Sequence, residues 1–486
     1  MNTFFKHTLI YLFSKGLPGF ISFVAILYYS KMLEPADYGK YSLVISIVGV
    51  INIIFCEWFR YGVSRFYPES IAIGEQNQYM LFVKSIINYF TIAIALATFI
   101  CFLIFDLFFE TYLSKWLVLL MGLMVFLNFA FNLLTQIFIT ELRPIIFSKA
   151  NFLKTIIGVG GSVILIYLGY NFVGLFVGVT IGFVFSVIYS YFSANFPAKP
   201  SGYKFNKDLL RSMALYSLPL TASAGLSFLV SYASRFIIGY FRGVVETGLF
   251  TLGYDFTQQT IGVFIGIAAT SSLPIAMKLY TQNGNDNAFQ SHMSKSIALL
   301  FVIALPIVVV FAGNSTEITT LLLGGNFKKL SPLLIPVSAI AAFILGIKSF
   351  YLDTIFYLKK ETKFQTLILF LVVVLDTVLN VIFVPRYGYM ASAVSNLIVS
   401  ISASTLTFFV VSRLLKTPMP WLDILKIIIA VTAMFIFYNY VPVSKTLIGF
   451  VIKVSMGVII FIALLGIFNK KMVLQFIKRN NNANIS

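Results

Sequence analysis

Four basic residues, Lys15, Lys84, Arg235 and Lys348, lie inside long apolar stretches of this chain. A charge at membrane depth is costly unless it faces water, a partner or a ligand. A cationic interior suits an anion: an ammonium offers three N–H donors, and a guanidinium forks onto two phosphate oxygens. Glu57 and Arg60 are one helical turn apart and can pair on one face. A local ion pair and a substrate contact are both open for them. Acids at or within membrane depth are Glu57, Asp255, Asp353 and Asp376. Asp255 shares a helix face with Thr251, Gln258 and Gly262, and Asp376 precedes Asn380 by one turn. A carboxylate so placed can carry H+ or Na+ as a coupling ion, or can serve as charge partner to Arg235 or Lys348. Arg65, Lys84 and Arg143 read either as a basic cytoplasmic mouth or as simple interfacial anchors.

Two polar stripes accompany these charges. Tyr11, Lys15, Pro18, Ser22 and Tyr29 recur at helical spacing, as do Ser223, Ser227, Ser231, Ser234 and Arg235. A polar stripe on a membrane helix faces protein or water rather than lipid, so each stripe lines a cavity or packs a helix through small residues. Pro18 and Pro219 each remove an intrahelical hydrogen bond, which makes them candidate hinges or static bends.

The elements that position these groups are membrane helices. At 59% hydrophobic and 11% charged, 486 residues cannot cover a soluble surface. About fourteen stretches are long enough to span a bilayer, at roughly 8–32, 41–62, 80–105, 114–138, 150–169, 172–193, 213–240, 247–276, 294–313, 331–357, 364–384, 389–412, 421–441 and 446–468. They are too long for barrel strands. The first has a basic flank like a signal peptide, but it is long and lacks a small-residue cleavage site, so it reads as the first span. With a cytoplasmic N-terminus, about 23 loop Lys and Arg, Lys154 among them, fall on the cytoplasmic side against about 8 outside. The positive-inside rule therefore places both termini in the cytoplasm, and it explains the net charge of +18 without nucleic acid.

A weak repeat divides the chain. Ala36-Asp37-Tyr38-Gly39-Lys40-Tyr41-Ser42-Leu43 aligns with Val245-Glu246-Thr247-Gly248-Leu249-Phe250-Thr251-Leu252. Late in each half, Leu168-Gly169-Tyr170-Asn171-Phe172-Val173-Gly174 answers Val384-Pro385-Arg386-Tyr387-Gly388-Tyr389-Met390-Ala391. The expected fold is an all-α membrane protein. Two parallel six-helix lobes, 1–200 and 201–413, surround a central cavity, and 414–486 adds a helix pair with a basic tail. The basic segment from Lys199 to Arg211 links the lobes.

Other chemistries find no support. There is no Walker loop, GxSxG or HExxH motif. Cys56 and Cys101 lack CxxC spacing, and His7 and His292 stand far apart, so neither a disulfide framework nor a metal site is indicated.

The stretch Leu33-Glu34-Pro35-Ala36-Asp37-Tyr38-Gly39-Lys40-Tyr41-Ser42 resembles the loop after the first helix of Wzx-type polysaccharide flippases, in the multidrug/oligosaccharidyl-lipid/polysaccharide (MOP) exporter superfamily. Ser234-Arg235-Phe236-Ile237-Ile238-Gly239 followed by Glu246-Thr247-Gly248-Leu249-Phe250 resembles the seventh-helix signature, although Asp often stands where this chain has Ser234. Leu322-Leu323-Gly324-Gly325-Asn326-Phe327 with Leu333-Leu334-Ile335-Pro336 resembles the loop before helix ten. Asn380 with Pro385, Tyr387, Gly388 and Ala391 is similar to the eleven-to-twelve hairpin. The resemblance implies a flippase in the bacterial cytoplasmic (inner) membrane for undecaprenyl-diphosphate-linked oligosaccharide, destined for O-antigen, capsule or another exopolysaccharide. It further implies alternating access, ion coupling, and a polysaccharide polymerase and chain-length regulator as partners. On this reading Lys15, Arg60, Arg235 and Lys348 contact the diphosphate or an acidic sugar. Asp255, Glu57 and Asp376 couple the ion. Rival readings are a drug/cation antiporter of the same superfamily, a lipid II flippase, and a membrane polysaccharide polymerase or ligase. An antiporter calls for an acidic cavity, and a polymerase for a large external loop.

Overall fold

The computed structural model describes residues 2–108, 115–198, 205–270, 272–284, 286–327, 329–415 and 419–468, of which 2–15, 105–108, 267–270, 274 and 283 as backbone only. Every regular element among them is helical. In chain order these are α1 (Asn2–Met32), α2 (Pro35–Phe55), α3 (Glu57–Ala72), α4 (Gln76–Phe108), α5 (Trp116–Thr140), α6 (Pro144–Tyr167), α7 (Asn171–Ser193), α8 (Lys207–Thr270), α9 (Ser272–Asn283), α10 (Asn287–Gly313), α11 (Ser315–Glu317), α12 (Leu334–Ile347), α13 (Asp353–Lys359), α14 (Thr362–Tyr387), α15 (Tyr389–Leu414), α16 (Trp421–Tyr440) and α17 (Leu447–Phe468). Twelve helical runs among the described residues are long and apolar enough to cross a bilayer. One of them is α8, whose limbs 207–242 and 244–270 meet at Gly243 (φ 80°, ψ 179°). With α1 and the two limbs of α8 taken separately, each of the fourteen expected spans has its helix. The chain is a multi-pass membrane protein.

Boundaries depart from hydropathy where local chemistry decides them. Pro35 and Pro144 start α2 and α6, because proline lacks the N–H that a first turn leaves unused. The helix α6 thus begins six residues before the expected span. Lys154 is corrected from a cytoplasmic loop charge to a residue well inside a membrane helix. The expected 41–62 span breaks at Cys56 (φ −118°), where α2 gives way to α3. Helical geometry runs on through Pro18 and Pro219, and the non-helical residue inside α8 is Gly243.

Two compact units emerge: 1–251 with 369–389, and 252–368 with 390–486. In the first, α6 and α7 meet backbone to backbone. A Cβ on Gly178 would overlap Ser162, and one on Gly182 the Lys154 carbonyl. Without a hydrophobic drive between helices in lipid, such close packing is what associates them. Phe59, Phe82, Phe129 and Phe138 fill the core beside α3, α4 and α5. In the second unit, Ile427, Met434, Tyr438 and Phe461 hold α16 and α17 together against α10. The Tyr438 hydroxyl donates to the Val454 carbonyl at 3.0 Å.

Candidate functional site

The first unit brings the two repeat motifs face to face. Gly39 of α2 and Gly248 of α8 touch: a Cβ on Gly39 would overlap the Val244 carbonyl oxygen, and one on Gly248 the Pro35 carbonyl. One turn further along each motif, Ser42 and Thr251 share a hydrogen bond of 3.0 Å. Equivalent residues of two repeats thus meet as a pair. Glu246 of the second motif accepts the Tyr389 amide at 3.0 Å at the start of α15, and Arg242 donates to it at 2.8 Å. A carboxylate at a helix N-terminus satisfies an orphan N–H and complements the dipole.

Arg235 sits at this crossing. It is 5% exposed, its Nη1 lies 3.4 Å from Ser42 Oγ, and its guanidinium stacks over Tyr232 at 4.2 Å. Ser234 beside it is buried, and its hydroxyl has no hydrogen-bond partner among the described residues. The stripe leading there is back-bonded: Ser227 donates to the Ser223 carbonyl at 3.1 Å and Ser231 to that of Ser227 at 3.3 Å.

A second cluster straddles the α2–α3 break. Arg60 Nε donates to Glu57 at 2.6 Å, and Nη2 joins the same carboxylate. Both remain partly open, at 33% and 17% side-chain exposure. Arg60 Nη1 reaches Gln136 Oε1 of α5 at 3.5 Å. Towards the end of α3, Tyr67 donates to Glu141 at 2.5 Å, and Arg143 joins Glu141 (3.1 Å) and the Ser193 carbonyl (3.2 Å). Burial, reinforced by the Glu141 carboxylate, pushes the Tyr67 phenol up, so it keeps the proton it donates. Arg65 pairs with Glu69. Of the three expected mouth cations, only Lys84 has no ion pair among the described residues.

In the second unit Lys348 and Asp353 are a buried ion pair, Nζ to the two oxygens at 3.1 and 2.9 Å. They stand across a π-helical turn, Lys348–Leu352. Gln365 donates to both Asp353 (3.1 Å) and the Tyr357 hydroxyl (3.1 Å). The Lys348 charge is therefore taken up inside the protein, and Asp353 is its partner.

Among the expected coupling acids, Glu57 is held by Arg60. Asp376 is 1% exposed and accepts from Asn380 at 2.9 Å. Asp255 is half-buried on α8. The side chains of Lys15 and Tyr11 lie outside the described residues, as do residues 199–204 of the expected linker. Cys56 and Cys101 are free thiols, and no cluster of metal-ligating residues occurs among the described residues.

Three features escape the sequence reading. Asn128, Asn132 and Gln136 form an amide stripe at i, i+4 and i+8 of α5, a spacing present in the sequence. Lys154 lies over the rings of Phe131 (4.4 Å) and Phe183 (5.0 Å). Glu317 and Lys453, 136 positions apart, pair at 2.7 Å with side chains 2% and 3% exposed. No local pattern signals that pair.

Residues 29–332 match the model of a family described as "Polysaccharide biosynthesis protein". The comparison with curated proteins finds no match. Among solved structures, the lipid II flippase MurJ in its inward closed conformation superposes with a TM-score of 0.75 at 15% identity, over 96% of this chain and 100% of that one. An inward-facing multidrug resistance MATE family transporter of the MOP superfamily gives 0.58 at 14% identity, over 84% and 98%. A variant of the Vibrio cholerae MATE transporter VcmN gives 0.54 at 14% identity, over 84% and 95%. At such identities the likeness establishes the fold alone, the one these structures share.

Proposed function

Because the chain belongs to the polysaccharide biosynthesis protein family, we propose that it is a transporter, not an enzyme: a flippase that carries undecaprenyl-diphosphate-linked oligosaccharide repeat units from the cytoplasmic to the periplasmic leaflet. The observation that carries this reading is Arg235, a guanidinium inside a membrane helix, 5% exposed, at the crossing of the two repeat motifs. A diphosphate headgroup supplies the anion that such a group recognises. Arg60 is the second contact, since it is partly open and its Glu57 partner can yield to a phosphate. Lys15 joins them as a proposal from sequence. Lys348 is the weakest of the four, because Asp353 already neutralises it.

On this reading the protein sits in the bacterial inner membrane with both termini cytoplasmic, and the lobes 1–200 and 201–413 alternate access. H+ or Na+ couples through Asp255, Asp376 or Glu57, and Pro18 and Pro219 flex. A polymerase and a chain-length regulator receive the product. Lipid II transport is the second reading, favoured by the 0.75 superposition on the lipid II flippase.

The deciding experiment is gene deletion followed by sidedness analysis of lipid-linked oligosaccharide. Single repeat units held on the cytoplasmic leaflet are the expected result. Accumulated lipid II supports the second reading, and units that reach the periplasmic leaflet unpolymerised overturn both. Complementation with Arg235→Ala should leave protein level intact and abolish export.

A further inference from the structure

Resting on the flippase reading, we infer that the amide stripe of α5, Asn128, Asn132 and Gln136, forms with Asn52 of α2 the subsite for the sugar hydroxyls of the headgroup, next to the charge site at Arg60. The stripe is placed away from lipid. The helix α5 is otherwise strongly apolar, and three amides at one-turn spacing occupy a single face of it. Amides inside a membrane face protein or a watery cavity. Asn128 and Asn132 are half-buried, and Gln136 is buried.

The hydrogen bonding is unfinished in a way that suits a polyol. Asn132 Nδ2 donates to Asn128 Oδ1 at 2.7 Å, which leaves Asn128 Nδ2 and the side-chain Oδ1 of Asn132 without a partner among the described residues. Asn52 is 7% exposed and gives its N–H to the Val48 carbonyl at 3.0 Å, but its Oδ1 has no donor. Asn52 lines a cavity of about 10 Å³ together with Cys56, Glu57, Arg60, Asn132 and two α5 apolar side chains. The space suits one water or one hydroxyl. A structural amide cluster closes its own hydrogen bonds, because an open acceptor in such surroundings has lost its water without gaining a partner. This one holds an open acceptor at Asn52 and open donors at Asn128.

The charge here selects a neutral ligand. Glu57 balances Arg60, and the remaining groups are amides, which offer both donors and an acceptor, as a sugar hydroxyl does. A second phosphate would find no further cation on this face. The order along the unit is then an anion contact at Arg60 and hydroxyl contacts running up α5.

The test uses full-length protein in lipid nanodiscs and two probes: a short-chain polyprenyl diphosphate bearing one N-acetylhexosamine, and the bare polyprenyl diphosphate. Asn132→Leu and, independently, Asn128→Ala should each weaken the sugar-bearing probe about tenfold, the worth of one hydrogen bond of ~1.4 kcal/mol, and leave the bare probe unchanged. Arg60→Ala should weaken both probes. Equal loss of both probes in the Asn variants, or no loss of either, overturns the subsite while the flippase reading stands. Wild-type protein that binds neither probe overturns the lipid-linked reading and the subsite with it.

Discussion

The ionic groups of the two units are built to different ends. In the second unit, Lys348–Asp353 and Glu317–Lys453 are sealed, with side chains between 2% and 5% exposed. In the first, Arg60–Glu57 stands partly open beside unsatisfied amides. A sealed pair has no vacancy for a ligand and staples helices, as Glu317 ties α17 to α11. A half-open pair keeps its desolvation cost low and can exchange its carboxylate for an incoming anion. Cation count alone would have ranked Lys348 with Arg60, and burial separates them.

The sealed pairs should break hardest. Asp353→Ala, or Lys453→Met, strands a charge in the interior and should cost about 3–5 kcal/mol, read as a lowered thermal unfolding midpoint in detergent. The double variant Lys348→Met/Asp353→Leu should recover most of that loss and still export glycan, as a purely structural pair allows. Loss of export in a stable double variant would return Lys348 to the site. Next comes Gly39→Val at the repeat crossing, where a side chain must displace backbone. Overpacking of this kind costs roughly 1–3 kcal/mol, and the same assay measures it. Ser42→Ala removes the Thr251 bond and should cost about 1 kcal/mol. The smallest stability effect belongs to Arg60→Ala, within about 1 kcal/mol for a partly exposed pair, although export should fall sharply. A large drop in midpoint for Arg60→Ala would erase the contrast between the two units.

Much of this was legible early. The apolar stretches fix the membrane helices, because hydrocarbon accepts only helices and closed barrels and these stretches are too long for barrel strands. The octets around Gly39 and Gly248 read as a repeat, and the Glu57–Arg60 spacing permits the pair that forms. Less legible were the helix starts: Pro144 carries α6 six residues past its hydropathy boundary and sets Lys154 well within the helix. The amides of α5 carry no charge, so their spacing is a weaker signal than a Lys or Arg at membrane depth.

The sequence by itself determined which segments are helices, that they span a membrane, and which residues carry charge within them, since each follows from composition and period over a few turns. Only the tertiary structure decided which charges are spent. Lys453 finds Glu317 across 136 positions, Gly39 meets Gly248, and Ser42 meets Thr251. Helical periodicity says which face a residue occupies but not what that face will touch. In a low-dielectric interior, the touching partner sets whether a cation is a staple or a binding group.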